Sequence, residues 1–161
     1  MNVFVIGVGL IGGSMVLDIQ REYSEAVIYG IDANENHLNK AEKIGVIHHK
    51  ATFSDLKKAA IVIISVPVDV QLEILPKILD AISDNCLVLD VGSTKAQVCE
   101  VVKNHPKRRN FLATHPIAGT EFSGPTAAHE NLFQQKTNII CEVEKTAFKL
   151  QEIALEIFFF K

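Results

Sequence analysis

Three short stretches of this sequence combine residue types and spacings that can do chemistry. The first is Gly7-Val8-Gly9-Leu10-Ile11-Gly12, which has the spacing G-x-G-x-x-G. Alone that pattern is weak; it gains meaning where it leaves a strand and opens a helix. Here it follows the apolar run Asn2 to Ile6 and precedes an amphipathic stretch from Leu10 to about Glu22. In that setting Gly7 permits a tight strand-to-helix turn, Gly9 leaves the backbone open to a pyrophosphate, and Gly12 lets the helix lie close to the strand. The amides near Leu10 and Ile11 then face the phosphates, and the helix dipole adds to the attraction. Asp32 ends the next apolar run, about twenty residues beyond Gly12, where a carboxylate takes the adenosine ribose hydroxyls and repels a 2′-phosphate. No Lys or Arg follows it directly, only Ala33 and Asn34, so the expected ligand is NAD rather than NADP. The plainer alternative is a glycine-rich turn beside an ordinary strand-end Asp.

The other two stretches lie in the second half. Asp90-Val91-Gly92-Ser93-Thr94-Lys95 leaves an apolar run and starts a helix. Capping that helix is the default role of Ser93, and solvation is the default for Lys95. In a cleft, Ser93 can also hydrogen-bond a substrate and Lys95 can attract a carboxylate. Thr114-His115-Pro116-Ile117-Ala118-Gly119-Thr120-Glu121 follows a further apolar run, with Pro116 and Gly119 shaping the turn. An isolated His is more often structural, but the strand-end place of His115 makes it a candidate acid or base. Ser65-Val66-Pro67 ends a central run on the same side, where open α/β sheets bind ligands. Pro67 cannot continue a ladder, so the chain must turn outward there, either to line the cleft or merely to stop the strand. His37, His48, His49, His105 and His129 have polar neighbours and no such placement. His48-His49 lacks partners at metal spacing and reads as surface, so no metal is expected.

The elements that position these residues alternate. Strands are expected at Asn2 to Ile6, Ala26 to Ile31, Ile61 to Val66, Leu87 to Val91, Phe111 to Thr114 and Thr137 to Cys141. Helices are expected at Leu10 to about Glu22, about Glu35 to Ile44, Val70 to Ile82, about Lys95 to Lys103, and about Lys145 to Lys161, with an irregular loop and a short helix between Gly119 and Phe133. Uninterrupted apolar strands between helices indicate a mostly parallel sheet covered on both faces. The fold expected is α/β and doubly wound, a Rossmann-type dinucleotide-binding domain over residues 1–161. A chain of 161 residues is one domain in size. Its net charge of -3 gives no basic field for nucleic acid, and Lys107, Arg108 and Arg109 read as a solvated loop. No apolar stretch is long enough to span a membrane, and the start has no basic signal-peptide region. Cys86, Cys99 and Cys141 are odd in number and form no C-x-x-C, so a reduced, cytoplasmic setting is expected.

Taken together, Gly7-Val8-Gly9-Leu10-Ile11-Gly12-Gly13-Ser14, Asp90-Val91-Gly92-Ser93-Thr94-Lys95 and His115-Pro116-Ile117-Ala118-Gly119-Thr120-Glu121, with Ser123-Gly124 just beyond, resemble the prephenate and arogenate dehydrogenases of tyrosine biosynthesis. The first motif is shared by many dehydrogenases; the last two, in this order, are far more specific. The resemblance implies NAD-dependent oxidative decarboxylation of prephenate to 4-hydroxyphenylpyruvate. It implies that His115, as a neutral imidazole, polarises or deprotonates the ring hydroxyl while hydride leaves the same carbon. Ser93 is implied to orient the histidine or the hydroxyl, and Thr120 and Glu121 to lie by the substrate. It further implies a helical C-terminal domain that forms a homodimer and supplies basic groups. That domain would begin where this chain stops, so it is expected to be absent, with NAD binding outlasting catalysis; the Phe158 to Phe160 end needs cover, either from something that packs there or from the domain's own sheet. Two other readings stay open: another dehydrogenase for hydroxyacids or imines, against which His115-Pro116-Ile117-Ala118-Gly119 argues, and a non-catalytic NAD-binding module.

Overall fold

Alternation along single strands decides the layering of this protein. In the computed structural model, which describes residues 1–158, β1 (Asn2–Ile6) sends Val3 and Val5 to one face and Phe4 and Ile6 to the other, all of them buried. The same two-sidedness holds in β4 (Ile61–Ile64) and β5 (Leu87–Asp90). A strand with period two that is apolar on both faces must lie between two covering layers. One layer holds α1 (Leu10–Glu22), α2 (Glu35–Lys43) and α5 (Phe148–Phe158); the other holds α3 (Val68–Ala81) and α4 (Ala96–Val101).

With β2 (Val27–Ile31), β3 (His49–Lys50), β6 (Phe111–Pro116) and β7 (Asn138–Cys141), the sheet has seven strands in the order β3-β2-β1-β4-β5-β6-β7. All pairings are parallel except β6 with β7, which is antiparallel. The chain leaves β1 in one direction and later returns to the strand on its other side. The carboxyl ends of β1 and β4 therefore flank a crevice, the place where doubly wound sheets take ligands.

Several expected boundaries move. β4 stops at Ile64, two residues short of the expected Val66, and α3 begins at Val68 directly after Pro67. α4 is shorter than expected, and α5 starts only at Phe148, after a 3-10 turn at Val143–Lys145. The expected short helix in the long loop is a 3-10 turn at Pro125–Ala127. Arg108 is not solvated: it is buried, donates to the Phe111 carbonyl at 2.8 Å and pairs with Glu142 at 2.9 Å. Phe158 is half-buried against the core, whereas Phe159, Phe160 and Lys161 lie outside the described residues. Among the described residues no helix is long and apolar enough to cross a membrane, and no cluster of potential metal ligands occurs.

Candidate functional site

The glycine turn is shaped by contact with its neighbours. Gly7 has φ +92°, and its N–H donates to the Ile31 carbonyl at 2.8 Å. A Cβ on Gly7 would stand 2.3 Å from the Ser65 carbonyl oxygen, and one on Gly12 would stand 2.3 Å from the Gly7 oxygen and 2.9 Å from Val5. Gly9 is the opposite case, because a Cβ there would meet nothing within 4 Å. Gly9 is also the N-cap of α1; no side chain caps that end, and no acidic residue occupies its first turn. Amides in the first turn of a helix lack intrahelical partners and attract anions. The residues present thus fit a pyrophosphate: open space over Gly9, and free backbone donors near Leu10 and Ile11.

Asp32 lies at the end of β2 with its side chain 14% exposed. One carboxylate oxygen accepts from the Val8 amide at 3.0 Å and the other from the Asn34 amide at 2.8 Å. The carboxylate therefore braces the glycine turn from the side where a ribose would lie. His37 Nδ1 stands 3.7 Å from it, a neighbour not anticipated from sequence. Across the crevice, Ser65 and Val66 are half-buried and Pro67 is exposed in the N-cap place just before α3. The buried Gln71 amide donates to the Val66 carbonyl at 2.9 Å, and a Cβ on Gly92 would stand 2.8 Å from the same nitrogen. One α3 side chain thus spaces the β4–α3 loop from the β5–α4 loop.

His115 is half-buried at the end of β6, opposite Ile139 of β7. Phe111 and Ala113 face the α3 and α4 layer and Leu112 the other. Period two then puts His115 on the side of the loop that carries Ser93. Ser93 itself is exposed and is not a helix cap: α4 begins at Ala96, with Lys95 in the N-cap place and no side-chain cap at all. The solvated default for Lys95 does not hold either. Its ammonium is mostly buried, contacts the fully buried Asp90 carboxylate, and donates to the Thr114 carbonyl at 2.8 Å. Burial pushes the Asp90 carboxyl above its ordinary range, and Lys95 opposes that shift. The linear pattern did hold a hint, since Asp90 ends an otherwise apolar buried strand and needs a partner.

Thr120 and Glu121 are exposed in the loop beyond β6, where the Thr120 hydroxyl accepts from the Phe122 amide at 3.2 Å. That loop bends back over α1, so that a Cβ on Gly119 would lie 4.0 Å from Ile11. Downstream it is tied to α1 itself. The His129 amide donates to Ser14 at 3.0 Å, the Asn131 amide to Asp18 at 2.8 Å, and Arg21 to the Asn131 side chain at 2.8 Å. The helix that opens at Gly9 therefore also holds the loop bearing Thr120 and Glu121. Thiol chemistry is not part of this edge: burial pushes Cys86 up to about 12 and Cys99 up to about 11, which keeps both as inert thiols.

Comparison with known proteins agrees with this fold. The family model described as prephenate dehydrogenase, nucleotide-binding domain, matches residues 15–159. That match begins just past the glycine turn, so the turn stands on its own geometry. The prephenate dehydrogenase of Bacillus subtilis is 38% identical over 149 residues, which are 90% of this chain and 40% of that protein. The crystal structure of prephenate dehydrogenase from A. aeolicus in complex with hydroxyphenyl propionate and NAD+ superposes with a TM-score of 0.89 at 30% identity, over 98% of this chain and 56% of that one. Synechocystis arogenate dehydrogenase gives 0.87 at 26% identity, over 98% of this chain and 55% of that one. The chain thus spans well under two thirds of the relatives it matches.

Proposed function

Because the chain belongs to the prephenate dehydrogenase family, matching its nucleotide-binding domain, we propose that it holds NAD across the carboxyl edge of the sheet and takes part in the oxidative decarboxylation of prephenate or arogenate. The carrying observation is that the uncapped end of α1, with open space over Gly9, shares one sheet edge with His115. Gly7 and Gly12 make the turn, and the backbone at Gly9, Leu10 and Ile11 receives the pyrophosphate. Asp32 receives the ribose hydroxyls and disfavours a 2′-phosphate. Ser65, Val66 and Pro67 line the far wall of the crevice.

When bound, NAD supplies the hydride acceptor. The His115 imidazole accepts the proton of the ring hydroxyl as hydride departs from that carbon, which becomes a carbonyl. The bond to the ring carboxylate then breaks, CO2 leaves, and its electron pair completes the aromatic ring while the carbonyl oxygen takes back the proton held on His115 and becomes the phenol hydroxyl. Ser93, on the neighbouring loop, orients the hydroxyl or the imidazole, and Thr120 and Glu121 border the substrate. The same reading includes a cytoplasmic homodimer whose contacts lie in the share of the relatives that this chain does not match.

The test is His115→Asn in the protein as its gene encodes it. Turnover of prephenate, followed as NADH formed, is expected to fall by about two orders of magnitude or more, while NAD affinity stays within a factor of about two, since no phosphate or ribose contact is lost. Retained turnover removes His115 from the chemistry.

A further inference from the structure

β6 outruns its neighbour. Its parallel register with β5 ends at Asp90 opposite Ala113, because the β5 chain turns away at Val91 and Gly92. β6 nevertheless continues as strand through Pro116, and that extension carries His115 beyond the last paired residue of β5. On the β7 side the extension has backbone partners, with Thr114 facing Ile140 and His115 facing Ile139. On the β5 side three bonds hold it, each involving a side chain rather than a ladder of backbone pairs. The Thr114 amide donates to one Asp90 carboxylate oxygen at 3.2 Å, its hydroxyl donates to the Asp90 carbonyl at 2.6 Å, and its carbonyl accepts from Lys95 at 2.8 Å. The other Asp90 oxygen takes the Lys95 ammonium and the Gly92 amide, the latter at 3.3 Å. Both backbone polar groups of the residue before His115 are therefore fastened to this one ion pair, and its hydroxyl to the Asp90 main chain, where a further strand residue would ordinarily stand.

We propose that Asp90 and Lys95 are positioning residues for His115: the pair replaces the missing stretch of ladder on the β5 side, fixes the peptide that enters His115, and ties the loop bearing Ser93 to the same point. The assignment rests on His115 acting as the proton acceptor. Burial alone does not account for the arrangement. A buried ion pair costs desolvation that a pair of apolar side chains would avoid, so it gives little net stability. What the pair supplies here, and apolar side chains cannot, is a donor and an acceptor in register with the Thr114 carbonyl and amide.

This separates geometry from stability. Lys95→Met leaves a buried carboxylate without its partner, so the melting temperature is expected to fall. Asp90→Asn combined with Lys95→Met removes that charge, keeps an acceptor for the Thr114 amide, and is expected to recover most of the loss. Turnover is not expected to recover with it. In both variants kcat should fall about tenfold or more with KM for NAD within about twofold, because the Thr114 carbonyl remains unclamped while the phosphate site is untouched. A double variant that regains kcat together with stability overturns the proposal, as does Lys95→Met with normal kcat. If Lys95→Met does not fold, the double variant decides alone. Absence of turnover in the unaltered protein would instead sink the functional reading, and the positioning claim would be read from the histidine ring signals by NMR. Those of His115 are expected to shift or broaden in the double variant while those of His37 and His129 stay; an unchanged His115 ring overturns the claim.

Discussion

Gly9 and Gly12 lie in the same turn of the chain, yet what a methyl group would meet at each is opposite. At Gly12 it would press within 2.3 Å of a backbone oxygen and within 2.9 Å of Val5 and of Ser65, none of which can retreat cheaply. Gly12→Ala is therefore expected to cost about 1–3 kcal/mol of stability, read as a lower denaturation midpoint. At Gly9 the methyl would enter empty space, so Gly9→Ala should cost only about 1 kcal/mol or less, the difference between glycine and alanine as a cap. Its effect falls on the ligand instead: NAD affinity is expected to drop tenfold or more in a titration, and unchanged affinity would remove the phosphates from this turn. The close packing at Gly12 was legible because it is steric and local. The default readings of Ser93 as a cap and Lys95 as solvated do not hold, for the converse reason. A serine before a helix suggests a cap whatever the loop does, and nothing within the stretch Asp90 to Lys95 shows that the first carboxylate is fully enclosed or that Thr114 lies beside it.

Among the elements, α1 carries two tasks at once. Its amino end faces the crevice, and its flank presents Ser14, Asp18 and Arg21, about one turn apart, to the loop that follows β6. Ser14 and Asp18 are buried, so losing a partner there leaves an amide unsatisfied. Asp18→Ala is expected to cost about 1–3 kcal/mol and to speed proteolytic cleavage between residues 117 and 136 before the rest of the chain opens. A cleavage pattern identical to the unaltered protein would show that the loop holds itself. The polar residues of α1 fit a helical spacing in the sequence, but their partners lie more than a hundred residues away and only the fold reveals them. Six of the seven strands were legible as apolar runs. The seventh, His49–Lys50, is polar and two residues long; it forms because β2 leaves an edge for it, with Tyr29 opposite His49, and no periodicity can announce it. β4 ends before Val66 because Ser65 and Val66 are already turning over Gly7 toward Pro67.

At the scale of the molecule, the sheet order and the crevice between β1 and β4 imply that cofactor binding and folding are linked. The glycine turn, Asp32 and the Ser65 loop come from three different strand ends and exist as a site only when the sheet is assembled. A ligand that binds only the folded chain raises stability by about 2.7 kcal/mol at one hundred times its Kd. For a domain of this size about 1 kcal/mol corresponds to roughly 2–4 °C, so NAD at that concentration should raise the melting temperature by roughly 5–10 °C. NADP at the same concentration should raise it far less. Its added phosphate would meet the Asp32 carboxylate with no Arg or Lys in the first turn of α2 to offset it, while Glu35 in that turn is paired with Lys50 at 2.8 Å. Asp32→Ala should narrow the difference between the two ligands, although it also frees the Val8 and Asn34 amides and lowers the starting stability. Equal shifts from NAD and NADP in the unaltered protein would overturn the ribose assignment of Asp32 while leaving the phosphate site at Gly9 standing, because the two contacts come from different strand ends.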